Sequence, residues 1–99
     1  MKFFPDLQTL IQLINKIIMS QIQEYDLVVI DRDIPATHKE TNQPILLRKG
    51  QVGTVVMDFE GEAYLIDFSD QKGTTYAMET LPAKQLIPLL YSPVSLQAS

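Results

Sequence analysis

The side chains that could do chemistry in this sequence are few and widely separated. The single histidine, His38, lies in a polar segment rich in Thr, Lys and Glu. A catalytic nucleophile needs an oriented base beside it, and no such pairing is apparent around this imidazole. We therefore expect His38 to be exposed to solvent, and the sequence predicts a protein that is not an enzyme.

Two pairs of acidic residues lie close together in the sequence, and one of them could bind a hard cation. Asp31 and Asp33 stand two residues apart and could present oxygen ligands from one side of a strand end. The alternative is a solubilising segment in which Arg32 is available as an ion-pair partner. Glu60 and Glu62 flank a glycine in an acidic turn that lacks the ligand spacing of a calcium-binding loop. We predict no metal and no cofactor.

Two glycines precede a β-branched segment. Gly50 and Gly53 are not followed by the Lys-Ser/Thr pair and the strand-to-helix change of a phosphate-binding loop. They are therefore predicted to be structural, permitting a tight turn or a bulge at the start of the strand over residues 54–58.

Length and charge exclude several classes of protein. A chain of 99 residues fits one small domain, and a net charge of −4 disfavours binding to polyanions, which depends on neutralising phosphates. The absence of cysteine excludes disulfides, thiolate zinc sites and cysteine nucleophiles. It fits a reducing compartment, and we expect a cytoplasmic protein.

The first 24 residues predict an amphipathic helix. The apolar run is broken by polar residues and has no cleavage site, so it predicts a retained segment rather than a signal peptide or a membrane span. Its polar face has too few cations for a membrane surface. The residues expected to form an oligomer interface on this helix are Leu7, Leu10, Ile11, Ile14, Ile17, Ile18, Gln21 and Ile22.

The apolar arc of this helix covers about half of its circumference, wider than a stripe of roughly 100° that docks on one core. We therefore expect self-association, in which Gln21 would face Gln21 of a second copy. Folding back onto the rest of the chain is the alternative.

The remaining chain predicts a mainly β domain over residues 25–90. Five short strands are expected, over residues 25–30, 54–58, 62–68, 74–80 and 86–89. A long exposed loop over residues 35–44 and a helical turn over residues 81–85 connect them. This pattern predicts a small five-stranded SH3-like barrel that follows one N-terminal amphipathic α-helix, with residues 91–99 as a flexible tail.

Five segments in order also resemble a known bacterial family, the domain of unknown function 4926. They read YDLVVI from Tyr25, RDIP from Arg32, KGQVGTVV from Lys49, EAYLIDF from Glu62 and TLPAKQL from Thr80. The resemblance covers residues 25–89 and implies a compact SH3-like or KOW-like barrel without established catalytic residues. The helix lies outside it.

We therefore expect a non-enzymatic protein-interaction module that forms a homodimer or higher oligomer through its helix and binds one other protein. Two alternatives stay open: a KOW-like nucleic-acid-binding module that uses Arg48 and Lys49, and an acidic, antitoxin-like antagonist of a partner protein.

Overall fold

The structure, a computed structural model, describes residues 6–96, and the side chains of residues 16–21 lie outside that description. Helix α1 spans Leu7–Gln21. Asp6 is its N-cap, and the carboxylate accepts a hydrogen bond from the Thr9 backbone N–H at 2.7 Å. This bond satisfies one of the N–H groups that lack a partner in the first turn. The helix ends at Ile22, whose backbone is extended.

Within residues 6–96, seven strands follow the helix. They are β1 (Leu27–Ile30), β2 (Ile34–Thr37), β3 (Pro44–Leu47), β4 (Val52–Phe59), β5 (Ala63–Ser69), β6 (Thr75–Pro82) and β7 (Leu86–Pro88), with a 3-10 turn at Ala83–Gln85. Five of them form an antiparallel sheet in the order β6-β5-β4-β1-β7, and β2 and β3 form a separate hairpin. The chain is therefore mainly β with one helix, and its larger sheet is open.

The hairpin corrects the prediction of a long loop over residues 35–44 and of five strands in all. Ile34 and Ala36 pack against the core from β2, and Ile45 and Leu47 do so from β3. In both strands the more buried positions alternate and are apolar, and the polar turn between the strands concealed this. The prolines at positions 35 and 44 are tolerated because a two-stranded ribbon leaves backbone groups on its outer edges without a ladder partner.

The core lies between the five-stranded sheet and the hairpin. Buried side chains alternate along β5, where Tyr64, Ile66 and Phe68 point inward. The other buried hydrophobic residues in the described part of the chain are Ile22, Val28, Ile30, Leu47, Val55, Ala77, Leu81 and Leu86. This alternation is the period of a half-buried antiparallel strand.

Helix α1 extends away from the sheet. Within residues 6–96 it makes no extended contact with any strand, and the molecule measures 61 × 23 × 22 Å. The radius of gyration, 16.5 Å, exceeds the roughly 13 Å expected for a compact chain of this length. The described side chains of the helix, those of residues 7–15, are exposed or half-buried. Residues 91–96, in the predicted tail, are exposed and contain no helix or strand.

Candidate functional site

His38 stabilises the turn between β2 and β3. Its ring is half-buried, not fully exposed as expected, and stacks on Tyr76 with 6.2 Å between ring centroids. The Nδ1 atom accepts hydrogen bonds from the backbone N–H groups of Glu40 at 3.2 Å and Thr41 at 3.3 Å. One ring nitrogen is thus used to hold the turn, and the structure assigns this imidazole a local structural role.

Asp31 and Asp33 are engaged separately. The Asp31 carboxylate accepts a hydrogen bond at 2.8 Å from Nε of Arg32, and this guanidinium lowers the pKa of Asp31 below its usual value. Oδ1 of Asp33 instead accepts the Lys49 backbone N–H at 2.8 Å. Of the two interpretations of this segment, the geometry follows the one in which Arg32 is the partner. In the part of the chain that the structure describes, no cluster of acidic or histidine residues could hold a metal ion.

Arg48 and Lys49 lie in the turn that leads into β4. The carboxylate of Asp33 and the carbonyl of Ile30 accept the backbone N–H groups of Lys49 and Gly50 at 2.8 Å. Oε1 of Gln51 accepts the Arg48 backbone N–H at 3.0 Å. The Gln51 backbone N–H donates to the Arg48 carbonyl at 2.9 Å. An anion-binding nest needs free N–H groups, so only the two cationic side chains remain for an anion here.

The two glycines have different backbone roles. Gly50 adopts a φ of +90° in the turn, a region that favours glycine because it lacks a Cβ. Gly53 lies inside β4, and a Cβ there would overlap with the Ile66 side chain. The first glycine permits the turn, and the second permits close packing of β4 against the core residues of β5.

The predicted helix interface is partly on the exposed surface. Leu7, Ile11 and Ile14 are 72%, 43% and 42% exposed, and their spacing places them on one helix face. Leu10 is half-buried. The side chains of Ile17, Ile18 and Gln21 lie outside the described part, so the expected pairing of Gln21 lies outside it too.

Ile22 corrects the predicted interface. It follows the last helical residue, is 8% exposed and belongs to the hydrophobic core of the β domain. The helical pattern of the sequence continued one residue too far because Ile22 is as apolar as the helix face before it. Its role is to anchor the helix end in the core.

Beside Ile22 an open apolar groove of about 500 Å³ crosses one end of the β domain. We call it the Ile22 groove, and its lining residues are Ile22, Gly61, Glu62, Tyr64, Pro82, Ala83, Lys84 and Leu86. Its volume is within the range of sites that hold small ligands or the side chains of a partner. Sequence reasoning missed it because its walls come from three separate parts of the chain: the residue after α1, the β4–β5 turn with β5, and the segment from β6 to β7.

The phenol of Tyr64 is the polar group of interest in this groove. Tyr64 is 2% exposed, and its hydroxyl has no hydrogen-bond partner among the described residues. A Cβ at Gly61, across the groove, would lie 4.0 Å from this oxygen. Burial, and then the negative charge of Asp58, raise the pKa of Tyr64, so the hydroxyl is a protonated donor at neutral pH. A buried donor without an acceptor is costly, which distinguishes this groove from a merely apolar surface.

One family, described as a domain of unknown function (DUF4926), has a sequence model that matches residues 24–88. The match includes strands β1 to β7 and all of the Ile22 groove except Ile22 itself, and it leaves out α1. No curated protein and no solved structure matches the chain. Across residues 6–96, no helix is long and apolar enough to cross a membrane.

Proposed function

We propose that this chain, which belongs to the DUF4926 family, is a non-enzymatic interaction module that self-associates through α1. In this proposal the helix joins copies of the chain, and the β domain that the family model matches is carried on the resulting oligomer. There it is available to bind another protein.

The observation that carries the proposal is the exposed apolar face of α1. Leu7, Ile11 and Ile14 remain at least 42% exposed although they share one side of the helix. Contiguous apolar surface of this kind on a small protein typically marks an interaction site. Burying such side chains fully is worth about 1.5–3 kcal/mol each, so a partner surface gains substantially by covering them.

The length of α1 supports the same conclusion. Isolated helices shorter than about 12–15 residues are marginal in water, and α1 has 15 residues. Helices in proteins are stabilised mainly by packing of their apolar face, and α1 obtains little such packing from its own β domain. A second copy provides an identical apolar face, so a single contact buries the apolar faces of both helices.

For the β domain we propose an SH3-like arrangement. Support comes from the strand order of the five-stranded sheet together with the hairpin that lies between β1 and β4 in sequence. The turn of that hairpin reaches β6, where the Lys39 backbone N–H donates to the Tyr76 carbonyl at 2.8 Å. The Gln51 side-chain amide also donates to the Tyr76 hydroxyl. The Lys39 contact joins the hairpin to β6, at the far edge of the sheet, and the Gln51 contact joins the turn before β4 to the same strand.

Self-association is tested by sedimentation velocity at micromolar concentration on the wild type and two variants. We expect the wild type to be at least a dimer and Ile14→Asp to be monomeric, because an unpaired charge in an apolar interface is strongly unfavourable. Gln12→Asp is the matched control: it introduces the same charge on the opposite face of α1 and should leave the oligomer intact. A stable, folded wild-type monomer of 11.2 kDa would refute the proposal.

A further inference from the structure

The Ile22 groove combines apolar walls with one buried polar group. Most of its lining side chains are apolar, and of the described lining residues Tyr64 is the buried one that has a polar side-chain atom. The oxygen of this phenol lies at the groove, because a Cβ on Gly61, another lining residue, would be 4.0 Å from it. The groove therefore offers a single buried hydrogen-bond donor inside an apolar site.

This donor has no acceptor among the described residues. Burying a hydroxyl without an acceptor is unfavourable, so the site gains from any group that accepts the proton of Tyr64. Water accepts such a proton but leaves the apolar walls uncovered. A ligand with an acceptor on an apolar body makes the hydrogen bond and also buries the walls.

We propose that the Ile22 groove binds a small, uncharged organic molecule with an apolar body and a carbonyl oxygen, and that this oxygen accepts the hydrogen bond of the Tyr64 hydroxyl. The volume of the groove, about 500 Å³, is within the range of small-molecule sites, about 300–1,000 Å³. Apart from Ile22, the described lining comes from residues 61–86 of the β domain. The site is therefore independent of the proposed pairing of α1.

The charges around the groove favour an uncharged acceptor over a carboxylate. Oδ1 of Asp58 accepts the Gly61 backbone N–H at 2.7 Å, and burial together with the negative charge of Asp58 raises the pKa of Tyr64. Glu62 adds a second carboxylate to this end of the domain, and Lys84 adds one cation. An anionic group at the phenol would lie beside like charge, which is unfavourable.

Backbone pairing in the groove wall favours a small ligand over an extended peptide. Peptides that dock on β domains commonly form main-chain hydrogen bonds along a free strand edge. Here the Ala83 N–H donates to the Glu62 carbonyl at 2.9 Å, and the Leu86 N–H donates to the Ala83 carbonyl. These backbone groups are already paired within the chain. A single buried donor matches a ligand that has a single acceptor.

The proposal is tested with two compounds of nearly the same shape. Acetophenone has a phenyl ring and a ketone, and α-methylstyrene has a CH2 group in place of the ketone oxygen. Each is titrated into the isotope-labelled full chain, and the NMR shifts of Ile22, Ala83 and Leu86 report occupation of the groove. Gly73, in the turn at the opposite end of the β5–β6 ladder, should not shift. We expect acetophenone to have a dissociation constant about 2- to 10-fold lower than α-methylstyrene, the range for one hydrogen bond.

Two variants test the contacts directly, each confirmed as folded by circular dichroism. Tyr64→Phe removes the hydroxyl and keeps the ring, so the two compounds should bind it equally. Tyr91→Phe is the matched control, at a residue that is 95% exposed, and should retain the preference for acetophenone. Ala83→Phe places a larger side chain on the groove wall and should weaken the binding of both compounds. Benzoate, which has a carboxylate in place of the ketone, should bind the wild type more weakly than acetophenone.

The outcomes separate this inference from the proposed function. A preference for acetophenone that Tyr64→Phe abolishes supports the site. Equal binding of the two compounds to the wild type, benzoate binding as tight as that of acetophenone, or shifts absent from the groove would overturn it. Ile14→Asp, which is expected to be monomeric, should keep the preference. A wild-type monomer that prefers acetophenone would therefore retain the site and overturn self-association.

Discussion

A single methyl group added at Gly53 tests how closely β4 approaches the residues of β5. Gly53 pairs with Val28 of β1, and its Cβ would overlap with Cγ2 of Ile66. It would also lie 3.0 Å from Cε1 of Phe68 and 3.2 Å from the carbonyl oxygen of Asp67. The side chains of Ile66 and Phe68 are fully buried. Neither can therefore move aside without displacing other core atoms.

The size of the effect follows from packing. Forcing an extra carbon into a well-packed core costs about 1–3 kcal/mol, whereas alanine in a strand gains about 0.5–1 kcal/mol over glycine in backbone entropy. We expect Gly53→Ala to lower the free energy of unfolding by about 1–2 kcal/mol, and Gly53→Val to lower it further. In a chain of this size, that corresponds to a melting temperature roughly 4–15 °C lower.

Urea unfolding followed by far-ultraviolet circular dichroism measures this change. Ile66→Leu is the companion variant, because leucine has no Cγ2 branch and nearly the same volume, so its own cost should stay below about 1.5 kcal/mol. The double variant with Gly53→Ala should be more stable than the sum of the single effects, since the overlapping atom is gone. Gly73→Ala is the control for backbone strain, because its φ is +84° and no atom lies within 4 Å of its Cβ position.

If Gly53→Ala is as stable as the wild type, or if the double variant is merely additive, the close approach of β4 to Ile66 is not the reason for glycine at this position. A loss of partner binding without a loss of stability would instead identify Gly53 as a contact for a ligand.

Three further predictions concern charge and protonation. Hydrogen bonding to the Thr9 N–H lowers the pKa of Asp6. The stabilisation of α1 by this carboxylate is therefore present above the ordinary carboxyl pKa and is lost as pH falls through the lowered value. Acid should reduce the helix content of the wild type, measured by circular dichroism at 222 nm, and Asp6→Asn should abolish that pH dependence. Because the pKa of Tyr64 is raised, its protonated phenol stabilises the fold below the ordinary phenol pKa, and this stabilisation is lost as pH rises through the raised value. In a titration followed by absorbance at 295 nm, one tyrosine should ionise at higher pH than the others. Tyr64→Phe should remove that late step. At physiological salt, generic RNA or duplex DNA should show no binding with a dissociation constant in the range of roughly 10⁻⁴–10⁻⁶ M that is typical of non-specific binders. Salt-sensitive binding in a gel-shift assay that disappears when Arg48 and Lys49 are neutralised would support the nucleic-acid alternative.

Local patterns in the sequence were sufficient for most of the elements. The strand expected over residues 62–68 matches β5, and its buried residues Tyr64, Ile66 and Phe68 alternate because side chains in a strand point to opposite faces with a period of two. The helical period before Ile22 predicted α1, and the order of five segments predicted the family that the chain belongs to. The β2–β3 hairpin was not predicted, since a polar turn separates its two short strands and each strand contains a proline.

Tertiary structure decided what local patterns do not contain. Ile22 and Ile14 are equally apolar, yet Ile22 is buried in the core and Ile14 is exposed. The path of the chain after Gln21 determines which of the two side chains reaches the sheet. The Ile22 groove exists because the residue after α1, the β4–β5 turn with β5, and the segment from β6 to β7 meet at one end of the domain. Composition and periodicity thus determined most of the helices and strands and the sides on which their apolar residues lie. Long-range packing determined which apolar residues remain exposed to a partner. It also buried the Tyr64 hydroxyl without an acceptor among the described residues.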